Sequence, residues 1–145
     1  MKVYNSLRFF IPVGLLALLA ACSKPDIPWK VNEETQRWYS KQQVTTGEQT
    51  FKDNCATCHG AKAQGQFNWQ KPDAQGNYPP PPLNGKAHAW HHPYPLLMKI
   101  ISEGGKTMPA WQGKLTEEEM TATIAYFQSY WPDKAYELWV ERHKR

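Results

Sequence analysis

Apolar residues recur at spacings of three and four in several segments of the chain, which is the pattern of amphipathic helices. The first such segment runs from about residue 41 to residue 54. Ser40 and Gln43 are spaced as an N-terminal capping box for this helix. Its apolar side is formed by four residues, Val44, Gly47, Phe51 and Cys55. Because glycine costs ~1 kcal/mol relative to alanine inside a helix, Gly47 predicts that another helix crosses closely at that point.

Two further segments with this spacing lie in the second half of the chain. One begins near Pro95, a residue favoured in the first turn of a helix, and ends at the pair Gly104-Gly105. The other begins after Thr116, which is spaced from Glu119 as a second capping box, and Pro132 ends it. The buried face of this helix is predicted to contain six residues, Met120, Thr123, Ile124, Phe127, Tyr130 and Trp131.

A short final helix is predicted after Pro132. It has three apolar residues on one side, Tyr136, Trp139 and Val140. No segment of the chain alternates apolar and polar residues as a half-buried strand requires. The sequence therefore predicts an all-α fold of three to four helices with long loops.

The stretch between Gly60 and Pro93 has no periodic pattern over its 32 residues. A structureless loop of this length is uncommon inside a compact domain. Twelve Pro and nine Gly residues agree with extensive loops, and aromatic residues make up 13% of the chain. We therefore expect the loop to wrap a large apolar cofactor that replaces part of the side-chain core.

The N-terminus has the features of a bacterial export signal. Lys2 and Arg8 precede a 13-residue apolar stretch, which is shorter than the ~20 residues that span a bilayer. The stretch ends in Leu19-Ala20-Ala21-Cys22, which resembles the lipobox of bacterial lipoproteins. We expect lipid attachment at Cys22 on the periplasmic side of a bacterial membrane, with Ser23 favouring the outer membrane. The alternative is an ordinary cleaved signal that leaves an unpaired thiol.

The charge and the cysteine count exclude several classes of protein. The net charge is +4 without a long basic run, so nucleic-acid binding is not expected. Three cysteines are too few for a scaffold of several disulfides. The common phosphate-binding and hydrolase motifs are absent from the sequence.

The segment Cys55-Ala56-Thr57-Cys58-His59 has the C-x-x-C-H pattern of c-type haem attachment. Two thiols about one helical turn apart can form thioether bonds with the two vinyl groups of haem. The imidazole of His59 is then placed to bind the iron. The alternatives are a C-x-x-C redox pair, which lacks a β-α-β setting, and half of a zinc site, which lacks further cysteine ligands.

The second axial ligand is expected to be a methionine. Met108 follows His59 by 49 residues in a loop between two predicted helices, and Pro109 stiffens the chain behind it. Met98 and Met120 lie within apolar helical patterns and are expected to fill the core. Three histidines are rivals for the iron, although their polar setting is more typical of a solvated loop: His88, His91 and His92. An open sixth position is a further alternative.

These features together resemble the class I cytochromes c, which are small monohaem electron carriers. The resemblance covers residues 40–131 and includes the C-A-T-C-H-G, Pro-Leu-x-Gly and M-P-A-W segments. It divides the chain into four parts, a signal peptide (1–21), a tether (22–39), a cytochrome c domain (40–131) and a C-terminal extension (132–145). In the tether region, three aromatic residues are expected to dock onto the domain, Trp29, Trp38 and Tyr39.

The resemblance implies a class I cytochrome c fold around one covalently bound haem c. Its first and last helices cross at nearly a right angle, so that Gly47 meets Tyr126 or Phe127. Pro82 and Leu83 are implied to contact the haem. The carbonyl of Pro82 is implied to accept the Nδ1–H of the axial histidine, which fixes the tautomer of the ring.

The function implied by the resemblance is single-electron transfer without enzymatic turnover. The expected partners are redox proteins, namely a dehydrogenase, another cytochrome or a terminal oxidase, together with the membrane through the lipid anchor. One alternative is a five-coordinate haem that acts as an enzyme or binds gases as a sensor. Another is a haem subunit fixed within a dehydrogenase complex.

Overall fold

The computed structural model describes residues 30–143. Within this range the chain forms five α-helices and one 3₁₀ helix: α1 (Lys41–Asn54), α2 (Ala56–His59), the 3₁₀ helix (His88–His91), α3 (Tyr94–Glu103), α4 (Glu117–Ser129) and α5 (Asp133–His143). No strand forms among the described residues beyond an isolated bridge between Gln112 and Leu115. The predicted all-α fold class is confirmed.

Several predictions for the N-terminus lie outside the described residues. They are the signal peptide (1–21), the lipid attachment site Cys22, the sorting residue Ser23 and the docking of Trp29. Among residues 30–143, no helix combines the length and the hydrophobicity needed to cross a bilayer.

Both predicted capping boxes are present. The Ser40 hydroxyl accepts from the Gln43 backbone N–H at 3.2 Å, and the Gln43 side chain accepts from the Ser40 N–H at 2.9 Å. Thr116 and Glu119 make the equivalent pair of bonds at 3.1 and 2.8 Å. These bonds satisfy N–H groups that have no partner in the first turn of a helix, so they fix where α1 and α4 begin.

Helices α1 and α4 cross closely at Gly47. A Cβ atom at this position would lie 1.9 Å from the Ala122 carbonyl oxygen and 3.0 Å from the Tyr126 Cβ. Any side chain at Gly47 would therefore force the two backbones apart. The ring of Phe51, one turn later, packs against the Tyr126 ring with 5.2 Å between centroids. Gly47 meets Tyr126 as predicted, and it also meets Ala122.

Helix α4 is the most deeply buried element of the described chain. Its buried residues are Met120, Ala122, Thr123, Ile124, Ala125, Tyr126, Phe127 and Gln128. The prediction that Tyr130 belongs to the buried face is wrong, because this side chain is 38% exposed. The helix ends at Ser129, and Tyr130 is its C-terminal cap. The Tyr130 hydroxyl lies at the edge of the core, 3.0 Å from the hydroxyl of Tyr126.

The segments before α1 and after α4 join the same core. Trp38 and Tyr39 are buried, as predicted. The Trp38 backbone N–H donates to the Tyr136 hydroxyl at 2.9 Å, and its indole N–H donates to the Gln128 side-chain oxygen at 2.7 Å. Trp139 of α5 is fully buried. Residues on both sides of the predicted domain boundary between positions 131 and 132 therefore share one hydrophobic core. The boundary itself stays a prediction.

Candidate functional site

One cavity brings together most of the residues with distinctive chemistry. It lies between the end of α1, α2, the proline-rich segment, α3 and the loop before α4, and its empty space, including the open mouth, is about 1090 Å³. All six residues predicted to contact haem lie in its wall, Cys55, Cys58, His59, Pro82, Leu83 and Met108. The cavity is thus the candidate site for the prosthetic group.

Cys55 and Cys58 enter the cavity wall from the junction of α1 and α2. The Cys55 N–H donates to the Phe51 carbonyl at 2.8 Å, and the Cys55 carbonyl accepts from the N–H groups of Cys58 and His59 at 3.1 and 2.9 Å. This tight turn places both thiols and the imidazole in one wall. Burial, with a smaller effect of Cys58, raises the pKa of the Cys55 thiol to about 11. Before it reacts, Cys55 is therefore a neutral thiol at physiological pH.

His59 is buried and its ring is oriented by a backbone carbonyl. Nδ1 lies 3.1 Å from the Pro81 carbonyl oxygen, to which it donates in the tautomer that leaves the Nε2 lone pair free. Burial lowers the pKa of His59, and the hydrogen bond to Pro81 partly opposes this effect. The ring is therefore held in the neutral form, which is the form that binds a metal.

The partner of His59 corrects one prediction. The acceptor is the carbonyl of Pro81 and not that of Pro82, so the expected role of the Pro82 carbonyl is wrong. The loop backbone packs directly on Pro82, since a Cβ atom at Gly65 would lie 2.4 Å from the Pro82 nitrogen. The Leu83 N–H donates to the Ala63 carbonyl of the same loop at 2.8 Å. These contacts fix the register of the proline run. Pro82 therefore lines the cavity, while the Pro81 carbonyl faces the His59 imidazole.

Met108 enters the cavity wall from the loop between α3 and α4. This loop is tied to the end of α3. The Gly105 N–H donates to the Met108 carbonyl at 2.9 Å, and the Trp111 N–H donates to the carbonyls of Ile101 and Ser102 at 3.2 and 3.1 Å. The thioether is therefore presented by an ordered piece of backbone.

The other two methionines of the described chain lie elsewhere. Met120 is buried in the core, and Met98 packs against the core with its sulfur 3.9 Å from the Thr121 hydroxyl. Neither lines the cavity. Among the methionines of residues 30–143, only Met108 does so.

Two of the three rival histidines also lie at the cavity. His88 and His92 line it, whereas His91 does not. The prediction of a solvated loop agrees with the exposure of His88 and His91 and is wrong for His92, which is half-buried. Burial, followed by the neighbouring His88, lowers the pKa of His92. His92 is half-buried because the 3₁₀ helix buries Ala89 and places His88 and His92 in the wall of the cavity.

Several lining residues were not predicted as site residues. Leu97 and Ile100 carried a signal, because their spacing of three places both on one apolar side of the helix predicted to begin near Pro95. Others come from stretches without periodicity or from a helix whose pattern predicted only a core role: Tyr78, Pro80, Pro81, Ala89, Trp111 and Phe127. For the stretches without periodicity, no local pattern distinguishes a lining residue from its neighbours.

The wall of the cavity fits a covalently bound haem. It offers two thiols one helical turn apart, a neutral buried imidazole with a free Nε2, and a thioether from a separate loop. A proximal histidine with a distal methionine is the ligand pair that raises the reduction potential of a cytochrome c. The remaining lining residues are mainly apolar and would keep water from a flat hydrophobic ring.

Comparison with known proteins shows what this chain is similar to. The family model described as cytochrome C oxidase, cbb3-type, subunit III matches residues 42–127. The cbb3-type cytochrome c oxidase subunit FixP of Bradyrhizobium diazoefficiens is 30% identical over 84 residues, which are 57% of this chain and 26% of that relative. The chain thus matches about a quarter of the relative's length. No solved structure shows a significant match.

Proposed function

The chain belongs to the family of cytochrome c oxidase, cbb3-type, subunit III, and from that premise we propose that it carries single electrons through a haem held by His59 and Met108. Membership of this family confirms the predicted covalent haem c and the predicted role as an electron carrier. When bound, the haem iron supplies a one-electron redox couple.

The ligand assignment rests on one observation. The two cysteines, His59 and Met108 all lie in the wall of the same cavity. Cys55 and Cys58 would hold the porphyrin by thioether bonds. His59, oriented by the Pro81 carbonyl at 3.1 Å, would bind the iron through Nε2. Met108 would supply a second iron ligand from the loop tied to α3. With both ligands in place, no position would be left for a substrate, and little would have to rearrange when an electron enters or leaves.

A redox titration with a spectroscopic readout tests this function. The purified protein should take up one electron per chain, and its spectrum should show six-coordinate iron in both oxidation states. Turnover of peroxide, or a five-coordinate ferrous spectrum, would support a haem enzyme or gas sensor instead.

We further propose a terminal oxidase as the electron acceptor. The support is the family description and the name of the relative, both of which refer to a cbb3-type oxidase. The charge distribution also favours an acidic docking surface on the partner. Residues 55–116, which provide most of the cavity wall, contain six basic and two acidic residues, whereas residues 117–143 contain two basic and six acidic ones.

The partner is tested by purification from native membranes without cross-linking. A stable oxidase subunit should co-elute with oxidase activity in high salt. A shuttle should elute alone and should transfer electrons to the oxidase at a rate that falls with ionic strength. Co-elution with a dehydrogenase would contradict the oxidase assignment.

The cellular location of the protein is also a proposal, because the signal-like segment and Cys22 lie outside the described residues. We propose cleavage after residue 21, lipid on Cys22, a tether to residue 39 and a haem domain from residue 40, on the periplasmic side of a membrane. The lipobox-like segment supports this proposal, and Ser23 favours the outer membrane. Mass spectrometry of the mature N-terminal peptide should find lipidated Cys22. An unmodified N-terminus at another residue would contradict it.

A further inference from the structure

Helix α5 (Asp133–His143) lies beyond the segment that matches the family model, yet it packs against a segment that lines the haem cavity. The matched segment ends at residue 127. The 3₁₀ helix His88–His91 and the residue after it supply three lining residues of the cavity, His88, Ala89 and His92. We define residues 88–92 as the histidine segment. Helix α5 packs against the outer side of this segment.

The central contact is made by Trp139. This side chain is fully buried, and its indole N–H donates to the His92 carbonyl at 2.8 Å. Its ring packs edge-on against Trp131 and in a tilted arrangement against Tyr136, with centroids 5.9 and 5.8 Å apart. The indole is therefore held in one orientation by the core and can fix the backbone at His92.

A second residue of the histidine segment has its own partner on α5. The guanidinium carbon of Arg142 lies 5.5 Å from the centroid of the Trp90 ring, within the range of a cation–π contact. The ring of His143 packs edge-on against the Trp139 ring, with centroids 6.2 Å apart, and so supports the indole from the end of the helix. Trp90 and His92 are thus each held by a different residue of α5.

We propose that α5 is a brace that holds the histidine segment closed against the haem cavity, with Trp139 as its main positioning residue. This inference rests on the proposed function in one respect, since it assumes that haem occupies the cavity. Without the brace, residues 88–92 would open more often. Opening would admit water to the cavity, and greater solvent access would lower the reduction potential.

The test compares two tryptophan-to-phenylalanine variants of the full holoprotein. Trp139→Phe keeps an aromatic ring in the core but removes the N–H that donates to His92. The matched control is Trp38→Phe, because Trp38 is also buried and its indole N–H donates to Gln128 at 2.7 Å, away from the cavity. The readouts are amide hydrogen exchange of residues 88–92 and the reduction potential.

Trp139→Phe should raise amide exchange in residues 88–92 by about fivefold, as expected for the loss of one hydrogen bond that limits local opening. Its reduction potential should fall. Trp38→Phe should leave both readouts near the wild-type values. Equal changes in the two variants would overturn the proposal, because the effect would then be one of general stability.

A second variant covers the case in which Trp139→Phe fails to fold. Arg142→Ala combined with His143→Ala removes the contact with Trp90 and the ring that packs against Trp139, and it should shift the same readouts in the same direction by a smaller factor. No change in this variant would contradict the brace. A wild-type protein that lacks Met108 ligation would refute the proposed function, while the exchange of residues 88–92 would still test the brace.

Discussion

The crossing of α1 and α4 and the segment between α2 and α3 are stabilised in opposite ways. At the crossing, backbone groups are paired within the helices, and buried side chains such as Phe51 and Ile124 pack between them. The segment 60–93 contains one short 3₁₀ helix, and isolated hydrogen bonds pair much of its backbone. The first region is held by its own packing, whereas the second surrounds a cavity.

The two regions are joined by side chains that project from the second half of the chain. The Tyr126 hydroxyl donates to the Ala61 carbonyl at 2.7 Å, and the Trp131 indole donates to the Leu83 carbonyl at 2.7 Å. In each case a side chain from the packed core fixes a loop carbonyl. The core therefore orders the loop on one side, and a covalently bound haem would order it on the other.

The largest effect is expected when the haem is removed from this arrangement. Cys55→Ala combined with Cys58→Ala should abolish covalent attachment, because no thiol in the cavity wall remains to form a thioether. Amide exchange should then rise far more in residues 60–93 than in residues 117–128. Mass spectrometry after acidic acetone extraction measures attachment, and retained haem mass would contradict the assignment of the two cysteines.

The packed region is disrupted most directly at Gly47. Gly47→Ala would place a methyl group 1.9 Å from the Ala122 carbonyl oxygen. Overpacking at such a crossing is expected to cost about 3 kcal/mol in the free energy of unfolding. Gly105→Ala is the matched control, because a Cβ atom there would meet nothing within 4 Å. Denaturant titrations of both variants measure the difference, and equal stabilities would show that the helices do not pack this closely.

A smaller effect is expected at the connection between the regions. Burial and the Tyr130 hydroxyl raise the pKa of Tyr126, so its hydroxyl remains a donor to Ala61 well above neutral pH. Tyr126→Phe should cost about 1 to 2 kcal/mol and should speed amide exchange in residues 60–65. Tyr94→Phe, which loses a bond to Thr121 on α4 at 2.7 Å, should leave that exchange unchanged. Faster loop exchange in both variants would argue against a specific connection.

The contrast between the packed helices and the loop around the cavity also explains which features the sequence could predict. The helices were predictable for two reasons. The capping boxes at Ser40 and Thr116 depend on residues three positions away in the chain. Gly47 lies at a periodic position on the apolar side of its helix. The C-x-x-C-H segment was predictable because its chemistry lies within one helical turn. These features are local, and a local pattern is all that a single sequence displays.

The loop was less predictable because its contacts join residues far apart in the chain. The choice of Pro81 over Pro82 as the partner of His59 depends on how Gly65 packs against the proline run, 17 residues away. The contact from Trp139 to His92 spans 47 residues. The exposure of Tyr130 follows from the end of α4 one residue earlier, which is a boundary that hydrophobic spacing alone does not fix.

The central claim is that Met108 closes the coordination of the iron opposite His59. Its control is Met98→Ala, which should cost ~1 to 4 kcal/mol in packing and leave the spectrum unchanged. Met108→Ala should remove the soft ligand that favours Fe(II), and the reduction potential should fall.

The most direct measurement is the spectrum of the wild-type protein and of Met108→Ala at neutral pH, with and without CO. The ferric wild type should show a weak sulfur-to-iron charge-transfer band at the red end of the visible range, and the ferrous wild type should resist CO. Met108→Ala should lose the band and bind CO. Ready CO binding by the wild type, or a band that survives in Met108→Ala while His88→Ala or His92→Ala alters the spectrum, would contradict the account.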